Sequence, residues 1–364
     1  MNFDLPESHR EIQRMVRDLA ARHVAPSARA WDEAGALPDE ALDRVAELGL
    51  LAVRMPEAHG GAGLDLLALA VVVEELARQS GSLAAAVAAH DALGVAHLAA
   101  AGTDAQRERY LPAAASREGL VAWADAGVSA ERTGGGWVLR GEAPRVALGA
   151  SAARVVVVAR TGAGATAFAV ERGAAGLRVA RRSNGLGLRA CEASDLAFEA
   201  CAVGDDARVG EAGGAADVAA RVRAGHEVAR AALAVGCGQG ALDAAVSYAK
   251  DRKQFGQPIA NFQAVQWMLA DAKVELDAAR LLTHRAAVAA DGELAADAAT
   301  ALLFAGEAAA RACSRALQVH GGYGYTKEFP VERHLRDAKA CALGGAGDAA
   351  RREAVAVRAR AVSA

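Results

Sequence analysis

Asp251-Arg252-Lys253-Gln254-Phe255-Gly256-Gln257-Pro258-Ile259, followed by Asn261-Phe262-Gln263, is the stretch on which the reading of this chain turns. A basic pair at the end of a helical run leads into an aromatic residue, and Gly256 and Pro258 then fix a loop. A guanidinium can hold a pyrophosphate through paired, charge-assisted hydrogen bonds, and a neighbouring aromatic ring can pack on the attached nucleoside. Taken alone, the segment is equally well a solvated basic turn between helices. A second stretch decides against that. Gln318-Val319-His320-Gly321-Gly322-Tyr323-Gly324-Tyr325 runs on to Pro330-Val331-Glu332-Arg333 and Arg336-Asp337-Ala338-Lys339. It ends a helix, and its glycines permit a left-handed cap and the close approach of a ligand to the backbone.

The surrounding sequence has helical periodicity over residues 222–250, 262–289, 293–320 and 330–357, the last interrupted at Gly344-Gly345. Long helices with short connections predict a bundle. The first third is helical as well: Ile12, Met15, Val16 and Leu19 share one face, as do Leu42, Val45, Leu48 and Leu51. Gly60 to Gly63 has phosphate-loop spacing but lacks a preceding strand and a Lys-Ser/Thr partner, so it reads as a turn. Between the helical regions the rhythm changes. Trp137-Val138-Leu139, Val155-Val156-Val157-Val158 and Phe168-Ala169-Val170 are β-rich and punctuated by glycine, which predicts a small antiparallel sheet. The expected division is a helical domain over residues 1–117, a β domain over 118–212, a linker at 210–214 and a helical bundle over 216–364.

In these motifs and in this order of domains the chain resembles the acyl-CoA dehydrogenase family. The resemblance covers nearly the whole chain, with its specific motifs in the last third. It implies a mixed α+β fold, FAD as cofactor, and α,β-desaturation of an acyl thioester with hydride transfer to the flavin. It implies that Arg252, Phe255, Gln263, Gln318, Gly321 and Gly322 hold FAD. In that family these motifs reach across a subunit interface to the FAD of a neighbouring protomer, so a homo- or hetero-oligomer is expected. The implied partners are an acyl-CoA or acyl-carrier-protein thioester and an electron-transfer protein.

Other positions depart from the family pattern. Where the family places Tyr-Glu-Gly-Thr, with Glu as catalytic base, the chain reads Gly344-Gly345-Ala346-Gly347. Where it places Thr-Glu-Pro-x-Ala-Gly-Ser-Asp for the flavin ring, the chain has a shortened Ala122-Trp123-Ala124-Asp125-Ala126-Gly127-Val128-Ser129. The Trp-Ile-Ser/Thr motif falls on Arg145-Val146-Ala147, without its aromatic or its hydroxyl. Trp123 is the replacement aromatic if the alignment shifts locally. Some members carry the base on an earlier helix; counting back from Arg252 puts that position at His226, with Glu227 beside it. Glu227 is the better chemical candidate if burial raises its pKa. His226 is the better positional match, and an imidazole titrates near neutrality unaided. The plainer alternative is that Gly225-His226-Glu227 is a polar helix start. His320 and His334 read as structural.

These departures leave further readings open beside the self-sufficient dehydrogenase. One is a non-catalytic partner subunit of a heteromeric acyl-CoA dehydrogenase. Another is a flavin oxidase or monooxygenase on the same fold. Composition narrows the field less. Charged residues make up 23% and hydrophobic residues 53%, enough for a large core. A net charge of -3 gives no reason to expect nucleic acid. Cys191, Cys201, Cys237, Cys313 and Cys341 fit no metal-binding spacing, so no metal is expected, and they read as reduced thiols of a cytoplasmic protein. No basic-apolar leader opens the chain, and Glu74-Glu75 interrupts the apolar run before it, so no membrane span is expected.

Overall fold

The computed structural model describes residues 4–343 and 347–362. Helices come first: α1 (Glu7–Leu19), α2 (Ala28–Ala34), α3 (Asp39–Glu47), α4 (Leu66–Ala77), α5 (Gly81–Ala89), α6 (Ala96–Ala101) and α7 (Asp104–Ala114). Asp65 caps α4 by accepting from the Ala68 N–H at 2.8 Å, and Thr103 with Gln106 forms a capping box on α7. A π-helical turn, His90–Val95, joins α5 to α6 into one continuous helix. By length and composition that helix, Gly81–Ala101, could cross a membrane. Here most of it is buried in the core.

The sheet consists of β1 (Val121–Ala124), β2 (Val128–Thr133), β3 (Gly136–Ala147), β4 (Arg154–Thr161), β5 (Gly164–Glu171), β6 (Leu177–Arg182), β7 (Ala193–Val203) and β8 (Arg208–Val209). Its eight strands run β6-β7-β3-β2-β4-β5-β8, with β1 also on β4. It is mixed, not antiparallel as the sequence led us to expect. The tight turn Asp125-Ala126-Gly127, with Gly127 at φ 79°, lets β1 and β2 continue one line along β4. Both therefore pair parallel to it, Val121 with Arg154 and Ser129 with Arg160.

The rest is helical. α8 (Ala215–Asp251) is 37 residues long. The small pair β9 (Lys253–Gln254) and β10 (Gln257–Pro258) turns the chain into α9 (Gln263–Ala287), followed by α10 (Asp291–His320), α11 (Val331–Leu343) and α12 (Gly347–Val362). α8 is the central post, packing against α4, α9, α10 and α11. Its small residues allow this. A Cβ at Gly236 would lie 2.3 Å from the Glu74 carbonyl oxygen, so only glycine permits that crossing. Ion pairs tie the bundle to the N-terminal helices, Arg280 to Glu74 at 2.8 Å and Arg336 to Asp32 at 2.7 Å, while Arg17 to Glu75 at 2.7 Å joins α1 to α4.

Candidate functional site

The loop after α8 is closed by the Ile259 N–H, which donates to the Arg252 carbonyl at 2.8 Å. Its tip is Phe255 at φ 51° and Gly256 at φ 80°. The Phe255 ring is almost wholly exposed and meets Phe262 edge-on at 6.2 Å. At the base of this loop a cavity of about 510 Å³ opens between the ends of α8 and α10. Arg252, Gln318, Gly321 and Gly322 line it, with Tyr248 and His320. Phe255 and Gln263 do not. Phe255 points off the loop tip, and Gln263 is exposed on the first turn of α9.

The chemistry of this cavity is that of an anion and nucleoside site. The Arg252 guanidinium lies 5.9 Å from the Tyr323 ring and has no carboxylate partner among the described residues. Gly321 adopts φ 59°, and no atom lies within 4 Å of a Cβ built on it or on Gly322, so the backbone faces open space. His320 is buried and stacks on Tyr248 at 4.4 Å. Its Nδ1–H donates to the Ala316 carbonyl at 2.8 Å, which leaves Nε2 as a buried acceptor without a partner. Burial lowers its pKa, so the ring is neutral at neutral pH. Tyr248 and Tyr323 were not singled out in the sequence, although Tyr248 lies one helical turn before Arg252.

Residues expected near a flavin ring are arranged differently. Trp123 is no replacement stacking partner, because it is buried and donates its indole N–H to His97 Nδ1 at 3.2 Å. Arg145 sits exposed at a bulge of β3 with φ 53°, its own N–H held by Asp195 at 2.8 Å. The turn Asp125-Ala126-Gly127 brings only the Asp125 carboxylate, which is already paired with Arg223 at 3.1 Å.

Gly225-His226-Glu227 is not a helix start. It lies well inside α8, because the helix begins at Ala215 in alanine-rich sequence that carries no start signal. His226 does not titrate near neutrality either: burial, with the Arg230 charge adding to it, pushes its pKa down to about 3. Its imidazole is neutral and weakly basic. Glu227 forms an ion pair with Arg351 of α12 at 3.2 Å, and Arg351 is 2% exposed. Arg351 also donates to the Ala342 carbonyl at 3.3 Å, and Arg230 donates to that of Cys341. Gly344, Gly345 and Ala346 lie outside the described residues.

For FAD, the arrangement divides. The cavity at Arg252, Gln318 and the open glycine backbone fits the ADP end, and the orphaned Nε2 of His320 adds an acceptor there. The β domain offers the ring end no free aromatic face, and among the described residues the usual polar groups at Arg145-Val146-Ala147 are absent.

Comparison with known proteins agrees over the whole length. The N-terminal domain model of acyl-CoA dehydrogenases matches residues 6–118, and the C-terminal domain model matches residues 220–359. The probable acyl-CoA dehydrogenase YngJ of Bacillus subtilis is 36% identical, covering 94% of this chain and 96% of its own. A glutaryl-coenzyme A dehydrogenase solved with glutaryl-CoA superposes with a TM-score of 0.95 at 31% identity, over 100% of this chain and 97% of that one. The butyryl-CoA dehydrogenase of Megasphaera elsdenii gives 0.93 at 30% identity, over 98% and 99%. With this fold, this cavity and these relatives, the chain belongs to the acyl-CoA dehydrogenase family.

Proposed function

We propose that the chain works as a FAD-dependent oxidoreductase on the CH–CH bond of an acyl thioester, carried by CoA or by a carrier protein. Family membership makes it an acyl-CoA dehydrogenase-like flavoprotein. The observation that carries the assignment of residues is the cavity where Arg252, Gln318, Gly321 and Gly322 meet. FAD, when bound, supplies the hydride acceptor. Arg252 holds its pyrophosphate, the Gln318 amide hydrogen-bonds the ADP part, and Gly321 and Gly322 let that part lie against the backbone. Phe255 and Gln263, outside the cavity lining, belong with it only in an assembly that brings a neighbouring chain to the loop. Homo- or hetero-oligomerisation, an electron-accepting protein partner and a cytoplasmic location complete the proposal. So does the division into domains at 1–117, 118–212 and 216–364.

Glu227 and His226 are the proposed proton acceptors at the substrate α-carbon. Each is compromised as it stands. The Glu227 carboxylate is engaged by Arg351, and the His226 imidazole is held neutral but weakly basic.

A second reading is favoured by the buried Trp123 and the shortened turn before β2. On it, the chain is the partner subunit of a heteromeric enzyme, giving Arg252, Phe255, Gln318 and Gly322 to an unlike neighbour that brings the ring pocket and the base. One experiment separates the two. The chain is purified alone, titrated with FAD, and exposed anaerobically to a panel of acyl-CoAs. Near one FAD per chain, bleached by a thioester, supports the self-sufficient enzyme. In that case Glu227→Gln and His226→Ala identify the base by loss of bleaching. A colourless oligomer that turns yellow and active only with an unlike chain supports the second reading.

A further inference from the structure

One face of α8 fronts the β domain. Arg223 reaches the Asp125 carboxylate in the turn before β2 at 3.1 Å. His226 and Arg230 lie three and seven residues further on, so they continue the same face. Arg230 donates to the carbonyl of Cys341, and from β3 the charge of Arg145 is felt at Arg230. His226 and Arg230 are half-buried although α8 is the central post of the bundle, so they border the gap between bundle and sheet. The gap is dry, since burial pushes His226 down to about 3. It is also rich in cations. Among the described residues the Arg145 guanidinium forms no ion pair, and the nearby carboxylates are engaged, Asp125 by Arg223, Asp195 by Arg181 and Glu227 by Arg351.

A dry, cation-rich gap calls for an anion. A guanidinium has five N–H donors and takes a carboxylate in addition to a carbonyl. The chemistry has a matching need. Position 345 is glycine, Glu227 is held by Arg351 and the neutral His226 is a poor base, so among the described residues of this face no group stands ready to take an α-proton. A carboxylate on the α-carbon removes that requirement. As it leaves as CO2, the electron pair of its C–C bond forms the α,β double bond, and the hydride of the β-carbon passes to the flavin; no proton is exchanged. We infer that the substrate is an acyl thioester with a second carboxylate on its α-carbon, held by Arg230 with Arg145 and oriented by the His226 N–H. The inference rests on the thioester reading above and dispenses with its proton acceptors.

Ethylmalonyl-CoA and butyryl-CoA differ only in that carboxylate, so they are the probes. Calorimetric titration of the chain, which needs no flavin, should show ethylmalonyl-CoA binding about tenfold or more tighter, the effect of a charge-assisted hydrogen bond. Arg230→Met should abolish the preference and leave butyryl-CoA affinity as it was, with far-UV circular dichroism to confirm the fold. Arg145→Ala, at an exposed position, should reduce the preference severalfold. With FAD in excess and air excluded, ethylmalonyl-CoA should yield one CO2 for each crotonyl-CoA, and butyryl-CoA should yield no crotonyl-CoA. Equal affinities, a preference that survives both variants, tighter binding of glutaryl-CoA, whose second carboxylate is distal, or ethylmalonyl-CoA that loses no CO2 would each overturn the inference. Oxidation of butyryl-CoA as fast as ethylmalonyl-CoA would overturn it too and leave the oxidoreductase reading standing. Binding of neither thioester would overturn both.

Discussion

Trp123 gives its indole N–H to His97, and that one bond turns its ring into the packed region around Met55, Leu98 and Tyr110. The other His97 nitrogen, Nε2, is buried without a partner. Trp123→Phe would remove the hydrogen bond to the imidazole and leave both its nitrogens unsatisfied among the described residues. The expected loss is about 1–3 kcal/mol in urea unfolding, with flavin content of the assembled protein unchanged. A drop in flavin content without a drop in stability would mean that the ring faces the cofactor after all. Arg252→Ala acts oppositely. The residue is exposed and holds no carboxylate among the described residues, so unfolding should be insensitive to its loss. FAD titration should show affinity weakened by one to two orders of magnitude, the effect of about 1.5–3 kcal/mol for a lost charged hydrogen bond. An unchanged dissociation constant would mean that the loop no longer serves a nucleotide.

At the scale of elements, α12 is fastened to the bundle by arginine. Arg351 reaches Glu227, Arg352 reaches Glu307, and Arg358 reaches Asp297. Only Arg351 is deeply buried. Arg351→Ala leaves the Glu227 carboxylate half-buried without its cation and should cost about 3 kcal/mol. Hydrogen exchange should quicken across α12 before the rest of the chain, and unaltered α12 protection would count against this clasp. Such contacts show how far a sequence can be read. The Arg252 and Gln318 motifs are local strings, and their residues meet because each lies at a helix end. Helix positions were legible from apolar periodicity and from the glycines between. The Arg351–Glu227 pair joins residues 124 apart, and no local pattern announces it. The parallel pairing of β1 with β4 is likewise set by which segments meet in space. The first two turns of α8 bury Ala215, Ala219 and Val222 on one face, which carries the helix back past residue 222 and sets His226 and Glu227 in its interior.

For the whole molecule, buried titratable groups set the response to acid. Burial pushes His90 and His97 down to about 4 and His334 to about 3. It pushes Asp91 and Asp337 up to about 6. Below pH 6.5 the unfolded chain takes up protons on these histidines that the folded chain refuses, so stability falls as pH falls. Below about pH 6 the two aspartates protonate in the fold and not in the unfolded chain, which restores part of the loss. His226 at about 3 and His284 at about 4 add to the histidines, so five imidazoles lose against the two aspartates, and the balance between pH 7 and 5 is a net loss on the order of several kcal/mol. Urea midpoints at the two pH values check it; equal or greater stability at pH 5 would contradict the burial of these imidazoles.

The continuous helix Gly81–Ala101 bears on events before any of this structure exists. Its cover is largely α8, which is synthesised much later along the chain. A ribosome adding roughly 5–20 residues per second leaves this apolar segment without its partner for several seconds. During that interval it offers what a nascent membrane segment offers, and only the buried His90, Asp91 and His97 within it mark it as something else. The newborn chain is therefore most exposed to mis-sorting and aggregation midway through its synthesis, and completion of the bundle ends that exposure.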